Sequence, residues 1–255
     1  MSELAVGVDL GGTRIKAALV HESEGLVREI EIATEADEGP DHVVDRIAEA
    51  IRQVLEGEEL TAMNGIGIGS PGFISWDRTT VSNPRNLPHW ETVDMKAALQ
   101  ERLDTDRPVA VGNDANVAGL GSSHYGAGKP FDSFIMVTLG TGVGGAIIYR
   151  NEIFRGDQGV AGEIGHVSID YEGPLDRYGV PGAIEAYLGQ NFLSRHARYR
   201  LLNEDSLVHE MAGPDLEDLT PKMVYEAAVQ EDEPARRVLA WAGDKLGRML
   251  GSVIN

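Results

Sequence analysis

The feature that most constrains the fold is a glycine-rich turn between two short apolar strands, which occurs twice in the chain. In the first copy, the apolar run Leu4 to Val8 is followed by D-L-G-G-T at 9–13, and a second run covers Ile15 to Val20. A Gly-Gly pair between two strands predicts a tight hairpin, and turn formation alone explains it. A functional interpretation is that bare backbone N–H groups approach a phosphate there, with the Thr13 hydroxyl as a further donor.

The second copy makes the functional interpretation stronger. Here the apolar run Phe134 to Leu139 leads into G-T-G-V-G-G at 140–145, and a further strand covers Ala146 to Tyr149. Turn chemistry has no reason to add threonine at both places, so we predict a duplicated α/β fold with a nucleotide held between its halves. The chain has no G-x-x-x-x-G-K-[ST] motif, so it is not a P-loop protein. Asp9, at the end of the first strand, can hold Mg²⁺ or its waters.

The stretch V-A-V-G-N-D-A-N at 109–116 is the second constraint. Its run Val109 to Val111 is long enough for a buried strand but too short for a helix, and Gly112 is predicted to end it. Asn113 and Asp114 follow where the chain leaves the sheet, and open α/β sheets bind their ligands at that edge. Asp114 can accept a proton from a substrate hydroxyl there, beside the neutral hydrogen-bonding amide of Asn113. An Asx turn that caps a helix explains the same residues equally well.

Two irregular segments carry polar groups that suit a sugar. The proline-punctuated loop at 83–90 offers amide and aromatic side chains, although a surface connection is the simpler interpretation. The glycine-rich loop Gly156 to His166 contains Glu163, and Glu185 follows later in the chain. These two glutamates and His166 form a predicted cluster of hydrogen-bonding groups, although a single histidine is more often structural.

Amphipathic periodicity predicts helices in both halves of the chain. They are expected after an Asp41 N-cap, over Met95 to Leu103, from Gly182 onwards, over Met223 to Val229 and over Pro234 to Val253. The acidic, turn-rich region from Asn203 to Pro221 is expected to lie at the surface, without a function that the sequence reveals.

The composition excludes several classes of protein. A balance of 22 basic against 41 acidic residues, net −19, argues against DNA, RNA and anionic membranes as partners. The absence of cysteine excludes disulfides, thiolate metal sites and a cysteine nucleophile. No positive leader precedes an apolar segment, and no apolar run approaches a membrane span. We therefore expect a soluble cytoplasmic protein with one large domain or two modest ones.

Seven short motifs follow one another along nearly the whole chain. They are D-L-G-G-T at 9–13, S-P-G at 70–72, N-L-P at 86–88, G-N-D-A-N at 112–116, T-L-G-T-G-V-G-G at 138–145, G-E-I-G-H at 162–166 and E-A-Y at 185–187. With them the chain resembles the ROK family of sugar kinases, most of all its bacterial glucokinases. The resemblance implies the actin-like ATPase (ribonuclease H-like) duplicated fold, with α/β domains at 1–114 and 115–255 and a cleft between them.

The same resemblance implies ATP-dependent phosphorylation of a hexose, above all of glucose to glucose 6-phosphate, with Asp114 as the general base. The implied sugar-binding residues are Gly72, Asn86, Asn113, Asp114, Glu163, His166 and Glu185. The implied binding residues for Mg-ATP are Asp9, Gly11, Gly12, Thr13, Thr138, Gly140, Thr141 and Gly142, with Mg²⁺ near Asp9. The expected partners are a sugar and a second copy of the chain in a homodimer, and neither nucleic acid nor a membrane.

The chain departs from the family in two places. Three cysteines of the family bind structural zinc together with the E-x-G-H histidine. Here they correspond to Asp176, Tyr178 and Ala183, so no closed zinc site is expected. The family also continues through further strands, an adenine-contacting turn and closing helices, whereas this sequence stops at Asn255 within a helical pattern. The second domain is therefore expected to be incomplete at its end.

Three alternatives remain open at this point: a kinase for another hexose or an N-acetylhexosamine, a sugar-binding pseudokinase, and a regulatory ROK protein. The last resembles this chain only with a DNA-binding module in front, and Asp9 is expected to lie too near the N-terminus to leave room for one.

Overall fold

The computed structural model describes residues 3–254, in which eleven strands form three sheets. The strands are β1 Leu4–Leu10, β2 Arg14–His21, β3 Gly25–Ala33, β4 Ile66–Ser70, β5 Phe73–Ile74, β6 Thr80–Ser82, β7 Thr92–Asp94, β8 Val109–Asn113, β9 Phe134–Leu139, β10 Val143–Tyr149 and β11 Glu152–Ile153. The main sheet has the order β3-β2-β1-β4-β8, and the smaller ones have the orders β11-β10-β9 and β5-β6-β7. In the main sheet, β1, β4 and β8 run parallel, whereas β2 and β3 are antiparallel to their neighbours.

Eight α-helices occur in the same described residues. They are α1 Pro40–Leu55, α2 Met95–Leu103, α3 Asp114–Tyr125, α4 Glu185–Leu188, α5 Gln190–Leu201, α6 Val208–Ala212, α7 Pro221–Val229 and α8 Glu233–Ile254. Short 3-10 helices cover Ala36–Glu38, Leu60–Ala62 and Ile164–His166. Within residues 3–254, no helix has both the length and the apolar character that crossing a bilayer requires.

The chain divides into two compact units. The first contains Met1–Phe134 and Ile147–Ala161, and the second contains Ile135–Ala146 and Gly162–Asn255. The predicted division after Asp114 falls inside the first unit, because α3 packs against β4 and β8 of the main sheet.

The core of the first unit lies between α1 and the main sheet. On α1, Val43, Ile47 and Ile51 recur at helical spacing and are fully buried. The prediction that Asp41 caps this helix is wrong, because the N-cap is Gly39 and Pro40 occupies the first turn. Proline suits that position, since its missing N–H would have no partner within the helix anyway.

The core of the second unit includes a region that was predicted to be surface. Between residues 203 and 221, the side chains of Val208, Leu216 and Leu219 are buried, and Val208 begins α6. The buried Asp232 carboxylate holds this region to α8, because it accepts hydrogen bonds from the Ser206 hydroxyl, Leu207 N–H and Ala235 N–H. The acidic composition therefore concealed a packed segment.

Candidate functional site

The polar residues of the first unit gather at one edge of the main sheet. Because β1, β4 and β8 are parallel, their carboxyl ends lie together, and Asp9, Gly69 and Gly112 stand side by side across the three strands. Strand β8 continues one residue beyond the predicted Gly112, so that Asn113 pairs with Ser70. Ligands of open α/β sheets bind at this kind of edge.

Asp114 is the first residue of α3 and is exposed at this edge. The preceding Asn113 is the N-cap, and its side-chain oxygen accepts a hydrogen bond from Asn116 N–H at 3.2 Å. The Asp114 Oδ1 atom accepts one from Ala115 N–H at 2.8 Å. The helix cap is therefore formed by Asn113, and the general-base role of the adjacent Asp114 stays a prediction.

The charge of Asp114 contributes to the electrostatic environment of Asp9. The pKa of Asp9 lies above its ordinary value, chiefly because surrounding protein withdraws water from a carboxylate that still keeps some exposure. Lys16 opposes this shift, whereas the like charge of Asp114 adds to it. Within residues 3–254, no cluster of three or more metal-ligating side chains occurs. A pair of carboxylates nevertheless fits Mg²⁺, which keeps several waters and binds through one or two carboxylates plus substrate phosphates.

Replacing Asp9 by asparagine should stabilise the fold at neutral pH. A carboxyl group whose folded pKa is raised destabilises the fold once it ionises. The penalty is complete above the folded pKa and is lost as the pH falls from that value towards the ordinary pKa of about 4. The gain in the free energy of unfolding should therefore be seen in urea titrations at pH 7 and should shrink near pH 4. An unchanged or lower stability at pH 7 would contradict the assigned electrostatics.

The β1–β2 hairpin places its two glycines against other parts of the first unit. The Gly11 N–H donates to the Arg14 carbonyl at 3.0 Å, which closes the turn. The buried Thr34 side chain supports it from beneath by donating to the Gly11 carbonyl at 2.8 Å. A Cβ on Gly12 would come 2.7 Å from the backbone oxygen of Asn86, so the hairpin tip lies directly against the N-L-P loop. Thr13 follows at the tip, where its carbonyl accepts a hydrogen bond from Thr34 N–H.

Gly72 and Asn86 lie in two neighbouring segments of this region. Gly72 has φ +95°, and a Cβ there would come 2.8 Å from the Ser82 carbonyl and 3.0 Å from the Pro84 nitrogen. Only glycine fits this left-handed turn so close to another backbone. The S-P-G turn therefore lies against the segment that leads into the N-L-P motif, and the structure brings Gly72 and Asn86 to the same region as the hairpin.

The second unit contains the other glycine turn, between β9 and β10. Gly140 N–H donates to the Gly142 carbonyl at 3.0 Å, and the Gly140 carbonyl accepts from Gln190 N–H at 2.9 Å at the start of α5. Thr138, Gly140 and Thr141 are exposed, so the outer side of the turn is open to solvent. The strand after the turn begins at Val143, three residues earlier than predicted, because the last glycines of the motif pair in the sheet.

Glu185 fastens this turn from inside. Its carboxylate is almost fully buried, its Oε2 atom accepts from Val143 N–H at 3.0 Å, and its Oε1 atom lies 2.7 Å from Arg177 Nε. The contact with Arg177 is an ion pair without the direction of a good hydrogen bond. Arg177 also donates to the Thr141 carbonyl at 3.3 Å. The predicted sugar contact of Glu185 stays a prediction, since the structure uses this carboxylate to hold the turn.

Glu163 and His166 lie beside the same turn. Gly165 packs so closely on the Val143 carbonyl that a Cβ there would overlap it. Glu163 is exposed at the start of the 3-10 helix Ile164–His166, and the His166 side chain keeps 29% of its exposure. The structure therefore brings Glu163, His166 and Glu185 together around Val143, and leaves the first two open to solvent.

Asp176 holds the loop between His166 and α4, and His166 Nδ1 lies 2.8 Å from its Oδ2 atom. Burial would raise the pKa of the Asp176 carboxyl, but hydrogen bonds from Val180 N–H, His166 and Tyr178 N–H outweigh burial and hold its pKa below the ordinary value. The carboxylate is therefore ionised at neutral pH. Helix α4 begins only at Glu185, three residues later than predicted, because this loop continues through Gly182.

We expect the purified protein to contain no stoichiometric zinc and to fold independently of chelators. The positions of the family's cysteines carry Asp176, Tyr178 and Ala183, and four good ligands are needed for a closed structural site. Elemental analysis after dialysis against EDTA, with thermal unfolding before and after, tests this. One bound zinc per chain, or a lower Tm after dialysis, would contradict it.

An apolar cavity of about 430 Å³ lies in the second unit, next to the β9–β10 turn. Its lining comes mainly from apolar side chains of α5, α7 and α8, with Leu139 and Gly140 of the turn itself on one side. Polar contacts are available from Gln190, Thr220 and Lys222. This volume lies within the usual range of small-molecule sites.

The sequence analysis did not identify three residues that support the site. Thr34 gives no signal, because only the pairing of β2 with β3 brings it under Gly11. Val117 covers Gly69 and Gly112. The alternate glycines of β4 indicate a close neighbour there, but they do not show which residue it is. Arg177 follows Asp176 directly. A positive charge in the segment where the family has its cysteines was the signal that could have identified it.

Comparisons with known proteins point to one family. The model of the ROK family matches residues 5–255. A glucokinase of Thermotoga maritima is 34% identical over 252 residues, which cover 98% of this chain and 77% of the relative. The crystal structure of a ROK family glucokinase from Streptomyces griseus, in complex with glucose and AMPPNP, matches with a TM-score of 0.81 at 32% identity, over 98% of this chain and 78% of that one.

The family also contains regulators. A xylose repressor of Bacillus subtilis is 32% identical over 194 residues, which cover 74% of this chain and 48% of the repressor. The Thermotoga glucokinase covers a larger share of both chains than this repressor does, whereas a putative xylose repressor of a Caldicellulosiruptor species is 27% identical over 99% of this chain and 63% of its own length. With the actin-like ATPase fold and the motif residues placed as described, the chain belongs to the ROK family.

Proposed function

We propose that this protein transfers the terminal phosphoryl group of ATP to a hydroxyl of a hexose, with the 6-hydroxyl of glucose as the main acceptor. The observation that carries the proposal is Asp114, an exposed carboxylate that begins α3 at the ligand-binding edge of the main sheet. The similarity to glucokinases over most of the chain supports the choice of sugar.

Asp114 acts as the general base in this proposal. It accepts the proton of the sugar hydroxyl while the hydroxyl oxygen attacks phosphorus and the bond to the leaving ADP oxygen breaks. The N-cap bond of Asn113 and the bond from Ala115 N–H fix the start of α3, so the carboxylate is held before the substrate arrives. Positioning of this kind supplies much of the catalysis in phosphoryl transfer.

The proposed phosphate-binding groups belong to the two glycine turns. Backbone N–H groups around Gly11-Gly12 and around Gly140-Thr141-Gly142 can approach phosphate oxygens because no side chain stands in the way. Asp9 would hold Mg²⁺ directly or through its waters. When bound, this ion neutralises charge on the phosphates. Its arrival would also favour the ionised form of Asp9, whose pKa is otherwise raised.

The apolar cavity beside Gly140 is the proposed nucleoside site. It adjoins the turn assigned to the phosphates, and its apolar lining suits the faces of a purine ring. Gln190, Thr220 and Lys222 would supply the hydrogen bonds that orient the base or the ribose.

The proposed sugar ligands are Asn86, Asn113 and the backbone at Gly72, together with Glu163 and His166. Glu185 contributes through lone pairs that Val143 and Arg177 leave available, since each carboxylate oxygen has two.

Replacing His166 by alanine should raise the KM for the sugar about 10-fold, which corresponds to one lost hydrogen bond. The KM for ATP should change much less, because His166 is assigned to the sugar alone. Steady-state kinetics with each substrate varied in turn measures both. Equal changes in the two values, or none in either, would return His166 to a structural role.

The release of ADP across a panel of hexoses tests the proposed function as a whole. The panel contains glucose, mannose, fructose, N-acetylglucosamine and N-acetylmannosamine, and Asp114→Asn purified in parallel controls for contaminating kinases. Turnover that is highest with glucose supports the proposal. Turnover with another member only would keep the kinase and change its sugar. Sugar binding without any ADP release would instead indicate a pseudokinase or a regulator.

The oligomeric state and the cellular location are also proposals. A homodimer is expected and would be tested by light scattering of the purified protein. A cytoplasmic location is proposed because ATP and hexoses are both available there, and fractionation of cells tests it.

A further inference from the structure

The Asp176 side chain is fully buried and accepts three hydrogen bonds. Its Oδ1 atom accepts from Tyr178 N–H and from Val180 N–H, both at 2.8 Å. Its Oδ2 atom lies 2.8 Å from Nδ1 of His166. The two backbone donors are fixed by the turn that they close, so the carboxylate cannot rotate without leaving them unpaired.

This arrangement determines which ring nitrogen of His166 carries hydrogen. An ionised carboxylate can only accept hydrogen bonds, so Nδ1 must be the donor in the contact with Asp176. In the neutral imidazole, the other nitrogen, Nε2, is then an acceptor. The edge of the Tyr178 ring packs on His166 with centroids 4.4 Å apart, which limits rotation of the imidazole.

We propose that Asp176 is a positioning residue that keeps His166 in the Nδ1–H tautomer, so that Nε2 accepts a hydrogen bond from a sugar hydroxyl. This inference rests on the proposed function, because it takes His166 as a sugar ligand. It adds the residue that sets the direction of that hydrogen bond. A hydroxyl can donate to Nε2, whereas a carbonyl or phosphate oxygen cannot.

Asp176→Asn separates this role from simple loop support. The asparagine Oδ1 atom would stay with Tyr178 N–H and Val180 N–H, because both need an acceptor. The Nδ2 group would then face His166 and donate to Nδ1, which forces hydrogen onto Nε2. The same substitution beside the histidine of a serine protease leaves the geometry intact but imposes the wrong tautomer.

The experiment is a measurement of the His166 tautomer by ¹⁵N and ¹³C NMR at alkaline pH. The chain has seven histidines, so loss of one set of signals in His166→Gln identifies His166. The wild type should show hydrogen on Nδ1, and Asp176→Asn should show it on Nε2. The variant should also raise the KM for the sugar about 10-fold or more while the KM for ATP changes less than about two-fold.

Ser168→Ala is the matched control. The Ser168 hydroxyl donates to the Pro181 carbonyl at 2.7 Å, so its loss loosens the same loop without touching His166. This variant should keep both the tautomer and the KM for the sugar, even where its Tm falls.

Hydrogen on Nε2 in the wild type overturns the proposal, and this result does not depend on whether any variant folds. A switched tautomer in Asp176→Asn with an unchanged KM for the sugar overturns it as well. A wild type that phosphorylates no hexose refutes the proposed function instead. The positioning role at a sugar then falls with it, while the NMR result still decides the tautomer.

Discussion

Asp114→Asn is expected to lower turnover by about 10²–10⁴-fold while the fold and sugar binding persist. The amide keeps the shape of the side chain and can still accept from Ala115 N–H through its oxygen. It cannot take the proton of the sugar hydroxyl. The helix start should survive, because the N-cap is Asn113 and not Asp114. Steady-state ADP release, together with sugar binding by calorimetry, measures the two properties separately.

Asp106→Asn is the control for this substitution. Asp106 is exposed and lies just before the N-terminal end of β8, whereas Asp114 follows the C-terminal end. The control therefore removes the same charge near the same strand but away from the ligand-binding edge. Turnover of the control should match the wild type. Near-normal turnover of Asp114→Asn would remove this residue from the chemistry, and a lost sugar affinity would assign it to binding.

Gly182→Ala is expected to lower the free energy of unfolding by about 3 kcal/mol or more. Gly182 has φ +65°, a conformation that costs other residues about 1–2 kcal/mol. A Cβ there would also overlap the backbone carbonyl of Asp170, which has no flexible end to move aside. The backbone hydrogen bonds of Gly182 with Ile169 and Pro174 would be strained as the two segments of the loop separate.

Gly179→Ala separates the two contributions in the same loop. Gly179 also has a positive φ, +83°, but a Cβ there would meet no atom within 4 Å. Its substitution should cost only the conformational part, about 1–2 kcal/mol. Urea unfolding followed by circular dichroism compares the two variants. Equal losses would show that the close contact with Asp170 is not the reason for glycine at position 182.

The main features of the fold could be predicted because they depend on local patterns. Apolar runs at 4–8, 109–111 and 134–139 all became strands, and the glycine turns lie where the sequence placed them. Most errors were at ends of elements, as at Asp41 and at Val143, and a further one was the packed segment at 203–221, which was expected at the surface. At the ends of elements, hydrogen bonds between distant segments decide where an element begins, and no local pattern contains them.

The site was predicted as a set of residues, and the structure adds how they support one another. Motif order indicated His166 and Glu185, but the buried contacts of Asp176 and Arg177 depend on a loop that folds back on itself. The sequence showed that metal ligands were missing. The sequence did not show that the Asp176 carboxylate would accept hydrogen bonds from both the backbone and His166 where the family has a metal.

The packing of Val117 on two glycines has a consequence for how this chain can change by mutation. A Cβ on Gly112 would come 2.5 Å from one methyl of Val117, and a Cβ on Gly69 would come 2.7 Å from the other. A β-branched side chain in a helix has little freedom to turn aside. Alanine at either glycine would therefore push α3, and Asp114 with it, away from the sheet. The same alanine becomes acceptable once position 117 is small, so the order in which these substitutions arise decides whether each intermediate protein keeps its activity.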